Sequence, residues 1–393
     1  MNSKTVPEFG KLISNQNLLD YLSSVSFKRP TQVQNDCIPK LLGKGDFTVQ
    51  GRTGSGKTLG YLLPIIEKLK EREQENAEDL VACPKTIILL PTRELALQIF
   101  GVAKGVSHFA KLRIRKLVGG DKGRSLNSLY NSQIDILVTT PDRCLRAFKN
   151  KELSADSMNY LVFDEADQLL EPSFKKTVWE IAKTVSNPDM QVFLISASRP
   201  VDFPTIIEES FPGRKFEVIG KGEENVLNHK VSTYNLSLEN DDKFIYVKSF
   251  VKKQNKRNGL IFAGNKARAQ KVYEILEETG QEKLFVLHKD LDIKERVAVV
   301  DKFRKNGGTL VATDIFARGI DITHLQWVLN FDIPSEADYY LHRSGRVGRA
   351  GRSGDVFNFI TSKDGHRQRR INEELLIQGR SDLKIPSKIT KRR

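Results

Sequence analysis

Eight residues, Gly51-Arg52-Thr53-Gly54-Ser55-Gly56-Lys57-Thr58, have the types and the spacing to hold a polyphosphate. The pattern is G-x-x-x-x-G-K-T, placed after an apolar strand-like run and before a helix-period stretch. Gly54 and Gly56 let backbone N–H groups curl around phosphate oxygens with no Cβ in the way, and Ser55 lies between them. The helix N-terminus behind adds partial positive charge. Lys57 is suited to neutralise β- and γ-phosphates, and the Thr58 hydroxyl to ligate Mg²⁺. A second constellation, Asp164-Glu165-Ala166-Asp167, ends the apolar run 160–163. Carboxylates at the carboxyl end of a buried strand stand in the crevice where α/β sheets bind ligands. Asp164 is placed to hold Mg²⁺, directly or through water, and Glu165 to orient and deprotonate an attacking water.

The elements needed to position these groups are legible. Short apolar runs at 47–50, 86–90, 134–138, 160–163 and 192–195, then 260–262, 284–287, 309–312, 328–331 and 356–360, alternate with helix-period segments such as 59–70, 267–278 and 294–305. Runs apolar on both faces predict parallel sheets covered by helices on each side. The pattern gives two α/β domains, 1–219 and 226–365, joined by a polar linker at 220–225. A basic tail follows at 366–393, with nine Lys/Arg against three Asp/Glu. It reads either as a solvated end or as an RNA-holding segment.

At 393 residues the chain is too long for one core, and its excess of 63 Lys/Arg over 49 Asp/Glu, net +14, points to a polyanionic partner. No run approaches the roughly 18 apolar residues of a membrane span. The first residues carry no signal or transit character. Cys37, Cys83 and Cys144 are far apart, which excludes a zinc ribbon and a disulfide framework. A soluble cytoplasmic or nucleoplasmic protein is expected, with cytoplasmic taken as the default.

The tetrad spells D-E-A-D, and from about residue 9 to 360 the chain resembles the DEAD-box ATP-dependent RNA helicases, which have two tandem RecA-like domains. The resemblance rests on many ordered motifs. Residues 27–34, Phe-Lys-Arg-Pro-Thr-Gln-Val-Gln, are similar to the adenine-reading Q motif. It implies that Gln34 hydrogen-bonds adenine, that Phe27 stacks on it, and that Phe9 is the upstream aromatic. Pro91-Thr92-Arg93, the Gly119-Gly120 pair, Thr140 with Arg143, Gly264, Thr313 and Arg318 resemble the motifs that hold the RNA sugar–phosphate backbone. By the same resemblance Asp321 accepts from the ATP ribose, and Arg346 and Arg349 are arginine fingers. Asp167, Ser196, Ser198, His342 and Arg343 form the set that couples hydrolysis to strand separation.

Three departures from the family pattern stand out. Ser198 replaces a threonine, Asp142 a glycine, and the stretch 288–296 has Lys289 and Ile293 where Gly and Gln are usual. The resemblance implies an RNA-dependent ATPase that uses ATP and Mg²⁺ and binds single-stranded RNA or a short duplex. It would act as a monomer across two lobes, with local, non-processive unwinding or remodelling of RNA–protein complexes. A recruiting protein or ribonucleoprotein is a further expected partner. An ATP-gated RNA clamp and a DNA helicase of the same superfamily are the other readings.

Overall fold

In the computed structural model the described residues are 8–51, 54–73, 83–119, 133–156, 158–185, 187, 189–197, 203–220, 231–238, 242–254, 257–288, 290–291, 293–314, 325–348, 353–377 and 385. The chain divides into two compact units, Met1–Glu223 and Glu224–Arg393. Each is built on one parallel sheet.

The first unit has seven strands: β1 (Asp46–Gln50), β2 (Thr86–Leu89), β3 (Ile114–Leu117), β4 (Ile136–Thr139), β5 (Tyr160–Asp164), β6 (Gln191–Ser196) and β7 (Phe216–Ile219). Their order is β3-β4-β2-β5-β6-β1-β7, parallel throughout. Side chains alternate between two separate cores. Ile88, Val138, Val162 and Ile195 pack on one face, while Ile87, Leu89, Leu161, Phe163 and Leu194 pack on the other. That double burial is why the strands read as continuous apolar runs rather than as alternation. Helices α1 (Gln16–Ser24), α2 (Gln32–Leu41), α3 (Lys57–Glu73), α4 (Arg93–Ala110), α5 (Pro141–Lys149), α6 (Ala166–Leu169), α7 (Pro172–Thr184) and α8 (Phe203–Ser210) complete the unit.

The second unit repeats the plan with β8 (Val231–Ser237), β9 (Gly259–Phe262), β10 (Leu284–Leu287), β11 (Thr309–Ala312), β12 (Trp327–Asn330) and β13 (Gly354–Ile360), ordered β10-β11-β9-β12-β13-β8. Leu260, Phe262 and Val328 face one core; Ile261, Leu329 and Phe359 face the other. Its helices are α9 (Lys243–Lys253), α10 (Lys266–Glu277), α11 (Ile293–Asn306), α12 (Ala337–Ser344) and α13 (Gly365–Ile377).

The end of the chain departs from the expectation of a tail beginning at 366. α13 packs Ile371 and Leu375, both fully buried, against Tyr340 and Leu341 of α12, and Ile385 is buried in the same cluster. Two apolar residues four apart suffice to dock a helix whose other residues are mostly polar or charged.

Candidate active site

The adjacency of β5, β6 and β1 builds the site of the first unit. Gln50 is in register with Ser196, and Ile195 with Asp164, so three strand ends stand within about two interstrand spacings, roughly 10 Å. The phosphate-loop glycines are left-handed, Gly54 at φ +80° and Gly56 at φ +90°. At Gly56 the requirement is also steric, since a Cβ would fall 2.5 Å from Gln34 Nε2. Lys57, nearly buried as the first residue of α3, donates through Nζ to the Gly51 carbonyl. The Gly51 N–H donates to the Ser196 carbonyl at 3.2 Å, which ties the loop to β6. The Ser55 hydroxyl is buried with no hydrogen-bond partner among the described residues.

Asp164 is 6% exposed. Its Oδ2 accepts from the fully buried Tyr61 hydroxyl at 2.8 Å, and its Oδ1 from the Glu165 N–H at 3.0 Å. Burial, and then the negative charge of Glu165, push its carboxyl up to about 6 against the pull of the Tyr61 hydrogen bond and of Lys57. Glu165 itself holds a left-handed backbone, φ 56° and ψ 50°, a conformation that costs a non-glycine residue about 1–2 kcal/mol. The kink separates the end of β5 from the start of α6. Asp167, buried in α6, accepts from the Gln168 N–H at 3.1 Å.

Gln34 does two jobs. Its Oε1 accepts from the Thr31 N–H at 2.8 Å while Thr31 Oγ1 accepts from the Gln34 N–H, a reciprocal cap on α2. Its Nε2 donates to the Gly56 carbonyl at 2.9 Å, so the cap and the phosphate loop move together. Phe27 is 49% exposed, a large aromatic face open to solvent. Phe9, in contrast, is buried in the core, where it packs in the cluster that holds Ile13 and Leu18.

On the same sheet edge, beyond β5, stand the residues matched to RNA contacts. Pro91 and Thr92 follow β2, and the Thr92 hydroxyl caps α4 by accepting from the Leu95 N–H at 3.3 Å. Arg93 opens α4 and Gly119 follows β3. Thr140 sits at the N-cap of α5 without using its hydroxyl there, and Arg143 Nε is buried with no partner among the described residues.

The second unit gathers another set at the carboxyl ends of adjacent strands. Gly264 follows β9, Thr313 and Asp314 follow β11, and Asp332 follows β12. Asp332 is a hub that sequence reasoning missed. It accepts from the Gly264 N–H at 2.8 Å and from Arg268 in a two-pronged pair at 2.7 and 2.8 Å. Its backbone carbonyl accepts from Arg343 Nη1 at 2.6 Å. Arg343 is 2% exposed and uses its remaining donors on Asp314, at 2.5 and 2.6 Å, and on Asn330 at 2.9 Å. Arg343 therefore ties the motif-bearing α12 to its own sheet. His342 lies in α12 and Arg346 in the turn after it. Gly120, Ser198, Lys289, Arg318, Asp321 and Arg349 lie outside the described residues.

Residues 31–205 match the family model described as DEAD/DEAH box helicase, and residues 242–351 the helicase conserved C-terminal domain. The chain belongs to the DEAD-box RNA helicase family. This DEAD-box protein is 29% identical over 373 residues to the ATP-dependent RNA helicase SrmB of Haemophilus influenzae, an alignment covering 94% of the chain and 84% of SrmB. Four other curated relatives are longer, and the chain spans 37–62% of their lengths, against 70–90% for three more. Among solved structures it is similar to S. cerevisiae Dbp5 bound to RNA and ADP BeF3, at 25% identity and TM-score 0.80, covering 95% of this chain and 94% of that one. It is similar also to Mss116p bound to ssRNA and AMP-PNP, at 25% identity and TM-score 0.83, covering 95% and 78%. Both domains of the DEAD-box protein are thus RecA-like, and it is an ATP-dependent RNA helicase. Among its described residues no helix is long and apolar enough to cross a membrane.

Proposed function

We propose that the chain hydrolyses ATP at a site whose parts are divided between its two units, and that RNA brings those parts to work together. The observation that carries this reading is the partition itself. Lys57, Asp164 and Glu165 converge on one sheet edge of the first unit, whereas Arg346 and Arg349 belong to the second.

Gln34, after its bonds to Thr31 and Gly56, still has one amide hydrogen and one lone pair, the pairing an adenine edge asks for. Phe27 offers the ring a stacking face. Loop N–H groups and the Ser55 hydroxyl donate to the phosphate oxygens, with Lys57 released from the Gly51 carbonyl to the β- and γ-oxygens. The donor set suits Mg²⁺: hard oxygens from the Thr58 hydroxyl and from Asp164, whose buried carboxyl gains from a nearby cation. Bound there, Mg²⁺ supplies charge neutralisation for the phosphates. Glu165 takes the proton of the attacking water, and the arginines meet charge that develops on the γ-phosphoryl group. Fingers of that kind are worth about 10³–10⁵ in rate, so the chain alone hydrolyses slowly. Thr92, Arg93, Gly119, Thr140 and Arg143 in one unit, and Gly264, Thr313 and Arg318 in the other, hold RNA by its backbone without reading bases. RNA and ATP must then strengthen each other's binding by the same factor.

The outcome is local separation of short duplexes, or displacement of protein from RNA, by a monomer in the cytoplasm. Strand displacement tests it: a short RNA duplex should open with ATP and a much longer one should not. Strong ATP-dependent retention of single strands without displacement would favour a clamp instead, a reading kept in view by Lys289 and Ile293.

A further inference from the structure

Asparagines stand where the core of the second sheet would ordinarily be apolar. Asn330 of β12 is in register with Asn358 of β13, and Asn358 with Asn235 of β8. Asn330 and Asn358 are fully buried, and Asn235 nearly so. Two residues back along β12 and β13, Val328 and Val356 belong to the core of Leu260 and Phe262. A buried amide is costly unless its donors and acceptors are matched, and these amides match one another. The bonds run one way. Arg343 Nη1 donates to Asn330 Oδ1 at 2.9 Å, Asn330 Nδ2 to Asn358 Oδ1 at 2.7 Å, and Asn358 Nδ2 to Asn235 Oδ1 at 3.0 Å. A guanidinium has donors only, so it sets the direction of the first amide, and each amide sets the next. Head-to-tail chains of this kind polarise and strengthen one another in a low-dielectric interior.

The row continues onto β9, where Phe262 is in register with Asn330 and its ring lies 4.9 Å from the centre of the same guanidinium. Two residues of α12 stand on the row. Tyr340 meets Asn358, whose Nδ2 donates to the tyrosine hydroxyl at 3.3 Å, and Arg343 meets Asn330. Residues three apart share a helix face, so the row grips α12 over one turn. The Arg343 carbonyl then accepts from the Arg346 N–H at 3.1 Å, which makes the backbone of Arg346 an extension of the held turn. The asparagines themselves lie outside the motifs read from the sequence.

We propose that Asn330 and Asn358 are positioning residues for ATP hydrolysis: the amide row sets Arg343, and through it the point from which Arg346 reaches the γ-phosphoryl group. The inference rests on the divided-site reading above and deepens it by naming what aims the finger. A purely structural row would cost stability when broken and nothing else. An aiming row costs turnover in protein that is still folded, because a small misplacement of a group that meets transition-state charge is felt in rate.

The test uses the full chain with a saturating single-stranded RNA oligonucleotide and measures kcat and KM for ATP, beside urea unfolding of each variant. Asn330→Leu keeps the branched shape and removes the bond to Arg343. It should lower the RNA-stimulated kcat by about 10- to 100-fold, with KM for ATP within about twofold of the parent. Asn358→Leu, one bond further from Arg343, should lower kcat by a smaller factor. Asn330→Asp keeps an acceptor for Arg343 and should recover most of the loss. The control is Leu329→Ala on the opposite face of β12, which should lower the urea midpoint and leave kcat as it was. In an Arg346→Ala background, Asn330→Leu should lower kcat no further, since both changes act through one group. If Asn330→Leu does not fold, Asn358→Leu against the same control decides. An unchanged kcat in the folded asparagine variants overturns the inference, as does an equal loss in Leu329→Ala or a full further loss in the Arg346→Ala background. RNA-stimulated turnover that survives Arg346→Ala alone would instead sink the divided site, and that result is read before any asparagine is changed.

Discussion

Asp164 carries a tension between chemistry and stability at the level of one carboxyl. Its native value near 6 lies above the 3.8 of an open chain, so between those values the native state holds the extra proton. Stability contributed by this residue therefore falls as pH rises from about 4 to 6 and stays low above it. Asp164→Asn removes the charge, keeps Oδ1 to accept from the Glu165 N–H, and turns the second position into an amide that donates to the Tyr61 hydroxyl oxygen. The variant should be more stable than the parent by about 2–3 kcal/mol at pH 7–8, with the gap closing toward pH 4. Urea unfolding of the nucleotide-free protein at several pH values checks this, and a gap independent of pH would contradict the cause assigned. Gln34→Ala should cost about 1 kcal/mol through the lost cap and also raise the KM for ATP while erasing preference over GTP. Stability loss with nucleotide preference intact would leave Gln34 a cap and nothing more. Lys57, Thr58 and the tetrad were readable because phosphate chemistry dictates both type and spacing. Tyr61 was not, because its partner Asp164 is 103 residues away and a lone tyrosine in a helix gives no signal.

Among the elements, the loop between β1 and α3 is the least tolerant. Gly56→Ala meets both a left-handed φ and the Gln34 amide 2.5 Å away, so it should abolish nucleotide binding measured by calorimetry while the sheet stays folded. Binding within threefold of the parent would show that the loop has room the geometry denies. In the second unit Arg343 is the pin between α12 and its sheet. Arg343→Ala would leave Asp314 without its two-pronged partner and should cost about 3–5 kcal/mol of that unit's stability, read from urea unfolding. A loss under about 1 kcal/mol would mean the network is ornamental. The resemblance assigned this arginine to coupling, and the structure adds a holding role that no spacing rule could supply. Central strands were legible because both faces are buried. Edge strands β3, with Arg115 and Lys116, and β8, with Ser232, Thr233 and Asn235, were missed because an edge need not be apolar. α13 was hidden by its charge, with only Ile371 and Leu375 to mark a buried face.

For the whole molecule, the proposed reading divides the chemistry between two units of similar sheet plan but different loops. The first unit carries Gly51–Thr58 and Asp164–Asp167, the second the sequence from His342 to Arg349, and the family match spans both. Turnover should therefore depend on RNA. The measurement that tests this most directly is the ATPase rate of the full chain with and without single-stranded RNA, beside Glu165→Gln and Arg346→Ala. The account predicts a low rate alone and strong stimulation by RNA. Glu165→Gln should cut the stimulated rate by about 10²–10⁴ with ATP still bound, and Arg346→Ala should lose the stimulation. A fast rate without RNA, or stimulation that survives Arg346→Ala, would contradict a divided site.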